Sequence, residues 1–205
     1  MLKKPTLIEI AGPAGRLETL MVPAIGGGHP RGVAVIAHPN PLQGGTHTNK
    51  VVQTTARALA HVGYACYCPN LRGVGNSEGQ HGYGVAEVDD AAAVLAYAQA
   101  QHGEHLPVVL AGFSFGSFVM AQLSLRVEAK RLILLGPAVG RYAMPTVRED
   151  TLVIHGEEDE VIALAEVLDW ARPQMLPIVV FPGTGHFFHG KLIALQHCVI
   201  RAMGG

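Results

Sequence analysis

Apolar and polar residues are distributed along this chain in two alternating rhythms. Leu7 to Ile10 and Leu17 to Val22 read as a leading antiparallel pair, with Gly12 to Gly15 as the turn, and a loop holding Gly26, Gly27 and Gly28 follows. Beyond it, short apolar runs bounded by glycine, proline or polar residues predict buried strands at Gly32 to Ala37, Tyr64 to Cys68, Pro107 to Ala111, Arg131 to Leu135, Asp150 to His155 and Pro177 to Phe181. Between them, longer stretches with helical spacing predict helices over Asn49 to His61, Glu87 to Gln101, Phe115 to Leu125, Val161 to Ala171 and His186 to Ala202. Strands alternating with helices of this length specify an α/β fold, a mostly parallel doubly wound sheet of about eight strands with five or six helices. Its ligands should gather outside the carboxyl ends of the strands.

Composition narrows the function classes. At 205 residues the chain is expected to form one domain spanning 1–205, with a sizeable core. Its 15 Lys and Arg against 16 Asp and Glu are scattered, leaving no basic stripe for nucleic acid or a membrane surface. Mean hydropathy is high at +0.26, yet every apolar run breaks well before the ~18 residues of a membrane span, so a soluble protein is expected. Met1 to Pro5 is basic without an apolar stretch behind it, which reads as no export signal and a cytoplasmic location. The three cysteines, Cys66, Cys68 and Cys198, cannot all pair within one chain and read as reduced thiols. Cys66 and Cys68 flank Tyr67 in a strand, so they share a face and pack; no Cys-x-x-Cys spacing suggests redox or metal chemistry.

The candidate chemistry lies at strand ends. Gly112-Phe113-Ser114-Phe115-Gly116 joins a predicted buried strand to a predicted helix, the setting of a nucleophile elbow. Ser114 there would sit in strained backbone with its oxygen above the sheet. Glycines two before and two after it admit the neighbouring chain, and the helix N-terminus offers free N–H groups to an oxyanion. The pentapeptide is short enough to occur by chance in any glycine-rich turn; what strengthens it is a downstream acid and base, each after its own apolar strand. Glu157, Glu158, Asp159 and Glu160 follow the strand ending at His155 and leave the acid open among four, with a helix N-cap as the plain structural role for Glu158 or Asp159. His186 follows the strand ending at Phe181, behind the flexible Gly183-Thr184-Gly185. An imidazole titrating near neutral pH can take the serine proton and return it to a leaving group. His189, three residues on, could share its helical face as a metal pair, but no His-Glu-x-x-His surrounds it, and a pocket wall or surface role suits it better. Arg72 to Ser77 misses both nucleotide-binding spacings, so Arg72 is expected to fix its loop by hydrogen bonds. No cofactor or metal is called for.

Nearly end to end, the chain resembles the α/β-hydrolases, and among them the small lidless bacterial serine hydrolases related to dienelactone hydrolases. The resemblance is carried by His38-Pro39-Asn40-Pro41-Leu42 with Gly44-Gly45-Thr46 and Asn49-Lys50-Val51-Val52, by Asn70-Leu71-Arg72-Gly73-Val74-Gly75 with Ser77-Glu78-Gly79, by the elbow, by His155-Gly156, and by Gly185-His186-Phe187-Phe188-His189-Gly190. It implies a catalytic triad of Ser114, Asp159 and His186, favouring Asp159 among the four acids. It further implies an oxyanion site made by the backbone N–H groups of Asn40 and Phe115. Many relatives have His-Pro-His-Pro in the first loop, so Asn40 is a departure that a backbone donor survives and a side-chain role would not. Pro39 and Pro41 lack an N–H, which leaves Asn40 the donor between them and Leu42 the fallback.

The resemblance also locates an absence. Many α/β-hydrolases carry a helical lid where Gly136 to Asp150 here reads as a plain loop, so an open, shallow site for small or flexible acyl esters is expected. Phe113, Phe115, Phe187 and Phe188 flank the catalytic candidates as an apolar wall or as core packing. The implied function is a serine hydrolase of carboxylic esters acting on a small-molecule acyl substrate. A thioesterase or acyltransferase with the same triad, and a catalytically silent binding protein of this fold, are the alternatives. Serine at position 114 argues against the dehalogenase branch, whose nucleophile is a carboxylate. An exposed edge strand or the last helix leaves room for a homodimer.

Overall fold

A computed structural model describes residues 4–204, so the basic start at Met1 to Lys3 lies outside the described residues. Eight strands, β1 (Thr6–Gly12), β2 (Gly15–Val22), β3 (Gly32–Ala37), β4 (Tyr64–Pro69), β5 (Val108–Phe113), β6 (Arg131–Leu135), β7 (Leu152–Gly156) and β8 (Ile178–Phe181), form one sheet in the order β1-β2-β4-β3-β5-β6-β7-β8. β1 and β2 pair antiparallel in a tight hairpin and β2 meets β4 antiparallel; from β4 to β8 every pairing is parallel. Parallel strands covered on both faces need apolar residues at every position. β3, β4 and β5 accordingly bury all of their residues, whereas the edge strand β1 exposes most of its own.

Five helices cover the faces: α1 (Lys50–His61), α2 (Glu87–His102), α3 (Phe115–Leu123), α4 (Leu164–Ala171) and α5 (Leu192–Ala202). α2 and α3 pack with Val33, Val35, Leu110 and Leu134 on one face; α1 and α5 pack with Ala34, Ile36, Val109 and Ile133 on the other. Neighbouring strand residues thus supply opposite cores, the expected period of two. Cys66 and Cys68 both enter the α1–α5 core, where burial pushes Cys66 well up and Cys68 to about 12, so these thiols stay protonated at neutral pH. No helix among the described residues is long and apolar enough to cross a membrane.

Three helix starts depart from the periodicity, each for a local reason. α1 starts one residue late because Asn49 caps it, its Oδ1 accepting from Val51 N–H at 2.9 Å. α4 begins at Leu164 rather than Val161, since the Asp159 carboxylate captures the N–H groups of Val161 and Ile162 into a separate turn. α5 begins at Leu192 rather than His186; Phe188, at φ 53°, reverses the chain before the helix can form. His186 and His189 therefore do not share a helical face. Gly136 to Asp150 is a loop without a helix, as the lidless expectation requires.

Candidate active site

The central strand β5 ends at Phe113, and the next residue, Ser114, adopts φ 53° and ψ −117° before α3 begins. A serine pays for this left-handed backbone in strain that only its surroundings can offset. They do so by close approach: a Cβ at Gly112 would stand 2.1 Å from Gly116 O, and one at Gly116 would stand 2.3 Å from Ala37 O and 2.7 Å from His38 O. Ser114 N–H donates to Leu135 O at 2.9 Å, and Ser117 Oγ donates to Ser114 O while accepting from Ala138 N–H. The elbow is thus fastened to the ends of β3 and β6. Ser114 itself is buried to 8% exposure.

The close contact at Gly116 brings the loop after β3 against the elbow. Asn40 N–H makes no hydrogen bond among the described residues, and Phe115 N–H opens α3 without an intrahelical acceptor. Asn40 Oδ1 accepts from Leu42 N–H at 2.9 Å, while Asn40 O accepts from Gln43 and Gly45 N–H. The fallback donor Leu42 is therefore occupied, and the Asn40 side chain is committed to shaping its turn. Just before it, the fully buried His38 settles its own tautomer: Nε2 accepts from Leu71 N–H at 3.0 Å, so Nδ1 carries the proton and donates to Pro39 O at 2.7 Å. His38 thereby ties the Asn40 loop to the Leu71 loop, a role without a signal in the sequence.

Burial pulls His38 down to about 4, against the smaller upward pull of its bond to Pro39; His47, Glu87 and His81 are the nearby charges. Above pH ~6.5 the ring is neutral folded or unfolded; between ~6.5 and ~4 only the unfolded chain takes the proton, so folding stability falls as pH drops through that window. The loss attributable to His38 should reach about 3 kcal/mol near pH 4. Urea midpoints of wild type and His38→Gln at pH 7 and pH 4.5 check this. A wild-type loss no larger than the variant's would refute it.

The four acids after β7 divide their labour. Glu157 Oε2 accepts from Gly183 N–H at 2.8 Å, Glu158 N–H donates to Thr184 O at 3.0 Å, and Glu160 Oε2 accepts from His186 N–H at 3.1 Å. These bonds stitch the loop after β7 to the loop after β8. Gly185 leaves room for the Glu160 carboxylate, which a Cβ there would approach to 2.7 Å of Oε2. Asp159 alone points inward. Its Oδ1 accepts from Val161 and Ile162 N–H at 2.9 and 2.8 Å, and its Oδ2 accepts from His186 Nδ1–H at 2.7 Å. Burial works to raise the Asp159 carboxyl, but the His186 bond and the Ile162 and Val161 donors outweigh it and hold the group below the usual range. His155, completely buried, donates from Nε2 to Ile162 O at 2.9 Å and lies 3.5 Å from Asp159 Oδ2 on its way past.

With Nδ1 donating to Asp159, His186 is left with a bare Nε2. The ring lies 4.9 Å from Phe113, centroid to centroid, and a Cβ at Gly136 would come within 3.2 Å of it, which places the imidazole over the residues on either side of the elbow contact. Among the described residues no hydrogen bond joins Ser114 Oγ to His186. The predicted phenylalanine wall is redistributed: Phe113, Phe115 and Phe188 are buried, Phe188 in the α1–α5 core, and only Phe187 is exposed, at 41%. Arg72 does fix its loop, donating from Nε and Nη2 to the buried Asp90 carboxylate at 2.9 and 2.7 Å.

The family described as serine aminopeptidase, S33 matches residues 28–149. An α/β serine hydrolase without lid from Xanthomonas campestris is 33% identical to this chain, covering 100% of it and 95% of that protein, with a TM-score of 0.92. A structure described as an α/β serine hydrolase homologue from Coxiella burnetii is 35% identical over 98% of this chain and 97% of its own, at a TM-score of 0.87. An uncharacterized protein of Rickettsia prowazekii (strain Madrid E) is 29% identical over 90% of this chain and 82% of its length.

Proposed function

The chain belongs to the lidless α/β serine hydrolases, and from that membership we propose that it cleaves carboxylic esters of small acyl substrates through Ser114, His186 and Asp159. The observation that carries the proposal is the buried 2.7 Å bond from His186 Nδ1–H to Asp159 Oδ2, which leaves Nε2 as the basic nitrogen of a ring packed on Phe113, the residue before the strained Ser114. Ser114 Oγ attacks the ester carbonyl as its proton passes to His186 Nε2; the tetrahedral oxyanion is held by Asn40 and Phe115 N–H. His186 then protonates the departing alcohol, the acyl group stays on Ser114, and water, activated by the same nitrogen, releases the acid. The serine–histidine hydrogen bond, absent from the free-enzyme geometry, forms when substrate enters.

The reading is tested by treating the purified protein with a fluorophosphonate and mapping the adduct by peptide mass spectrometry, alongside turnover of matched oxygen esters and thioesters. Stoichiometric label on the peptide holding Ser114, with faster oxygen-ester turnover, is expected. Label elsewhere or none would overturn the nucleophile, and faster thioester turnover would move the substrate class.

A further inference from the structure

Among the described residues four non-glycine positions have positive φ: Tyr83, Ser114, Met175 and Phe188. Three have local explanations. Ser114 is the elbow, Met175 closes the one-turn helix Arg172–Gln174, and Phe188 is completely buried, so core packing offsets its backbone. Tyr83 lies in a turn that Val85 N–H closes on Gly82 O at 3.2 Å, a position that would suit glycine, and at φ 54° the residue is 71% exposed. A bulky residue in this region is strained, and an exposed ring gains little from packing.

The conformation is nevertheless held firmly. The N–H groups on either side of Tyr83, from Gly82 and Gly84, donate to Glu87 Oε1 and Oε2 at 2.6 and 2.8 Å. Glu87 opens α2 and is completely buried, and a buried carboxylate is costly unless its acceptors are filled. His81 Nδ1 lies 2.8 Å from the same Oε1, at ion-pair distance though outside hydrogen-bonding alignment. Beneath the loop, a Cβ at Gly84 would stand 2.6 Å from Phe118 Cε1, so the glycine lets the backbone lie directly on that ring. A buried carboxyl group, a positive φ and a close backbone contact thus combine to fix the backbone from which one solvent-facing aromatic ring projects.

That ring is the outer end of a continuous series. Tyr83 packs on His81 at 4.9 Å, His81 on Phe115 at 5.4 Å, and Phe115 on Tyr142 at 5.4 Å, centroid to centroid. Phe115 immediately follows Ser114. We infer that Tyr83 is a specificity-determining residue, a preset platform on which a planar aromatic ring of the substrate stacks, so that aryl esters are the preferred substrate class. The inference rests on the hydrolase reading above and specifies its substrate. A ring fixed in place before binding loses little freedom on stacking, and offset or edge contacts between aromatic rings exceed what area burial alone supplies.

The test compares aryl with cyclohexyl esters of matched size, methyl phenylacetate against methyl cyclohexylacetate for the acid side and phenyl acetate against cyclohexyl acetate for the alcohol side. The readout is the aryl to cyclohexyl ratio of kcat/KM in wild type, Tyr83→Phe and Tyr83→Gly, each variant's thermal midpoint being recorded. Glycine suits a positive φ, so Tyr83→Gly removes the ring while relaxing the backbone. The ratio should fall about 10-fold in Tyr83→Gly and be kept in Tyr83→Phe; the arm in which it falls identifies the side bearing the ring. Ratios within twofold of wild type in both arms would overturn the inference. If wild type turns over none of these esters, the hydrolase reading fails separately, and the platform is then decided by calorimetric binding to wild type and Tyr83→Gly. A roughly 10-fold weaker affinity for phenylacetate, but not for cyclohexylacetate, supports it, and equal affinities overturn it.

Discussion

Asp159→Asn is expected to lower kcat by about 10⁴-fold with little change in KM, a smaller loss than the about 10⁶-fold expected for Ser114→Ala. The reason lies in how the carboxylate is held. Val161 and Ile162 N–H both donate to Oδ1, so an asparagine must keep its carbonyl oxygen there and turn its amide NH₂ toward His186. Two donors would then face one another, and the imidazole escapes by moving its proton to Nε2. In that tautomer the nitrogen facing Ser114 can no longer accept a proton, although the backbone and packing are untouched. Steady-state kinetics on both variants, with circular dichroism to confirm folding, check the expectation. Glu160→Gln is the comparison, because its amide oxygen still accepts from His186 N–H; a larger loss there than in Asp159→Asn would move the acid to Glu160.

Gly116→Ala should destabilise the chain by more than about 3 kcal/mol and lower its thermal midpoint by roughly 10 °C. The three atoms nearest the added Cβ, Ala37 O and C and His38 O at 2.3, 2.6 and 2.7 Å, are all backbone. No side chain can rotate away. β3 cannot retreat either, since it is paired on both sides, with β4 and with β5. The remaining response is to push α3 from the sheet, which would also separate Phe115 N–H from the Asn40 loop. Fluorophosphonate labelling should therefore slow in the variant even at temperatures where it is folded. A midpoint within 2 °C of wild type would show that the close approach at Gly116 is not tight.

Much of this architecture is legible in the letters because its driving forces are local. Buried parallel strands must be apolar throughout, so β3 and β6 fall where the runs of Gly32 to Ala37 and Arg131 to Leu135 place them. Ser114 and His186 are marked by their glycine-rich turns. What escaped is what depends on which groups the folded chain brings together. Periodicity carried the last helix back to His186, but the turn fixed by Phe188 delays it, and with it goes any pairing of His186 with His189. The four acids look equivalent as letters; in the fold the carboxylates of Glu157 and Glu160 accept from backbone N–H groups of the loop after β8 and Glu158 binds it by its own N–H, while the buried Asp159 carboxylate meets the His186 ring. His38 and His155 stand inside runs that carry the resemblance and Glu87 at a predicted helix start, but those letters do not spell their bonds to Leu71, Ile162 and Gly84. The phenylalanines drew attention by type, yet the ring most open to solvent beside the elbow series is Tyr83.

The turn at Asn40 has a bearing on how such chains diverge. Its amide oxygen is spent on Leu42 N–H, and its own N–H, framed by two prolines, is the group left over for chemistry. Under the proposed mechanism the reacting substrate never senses which side chain stands there. Substitution at this point is filtered by loop shape, and two proteins can spell the position differently while offering a bound ester the same hand.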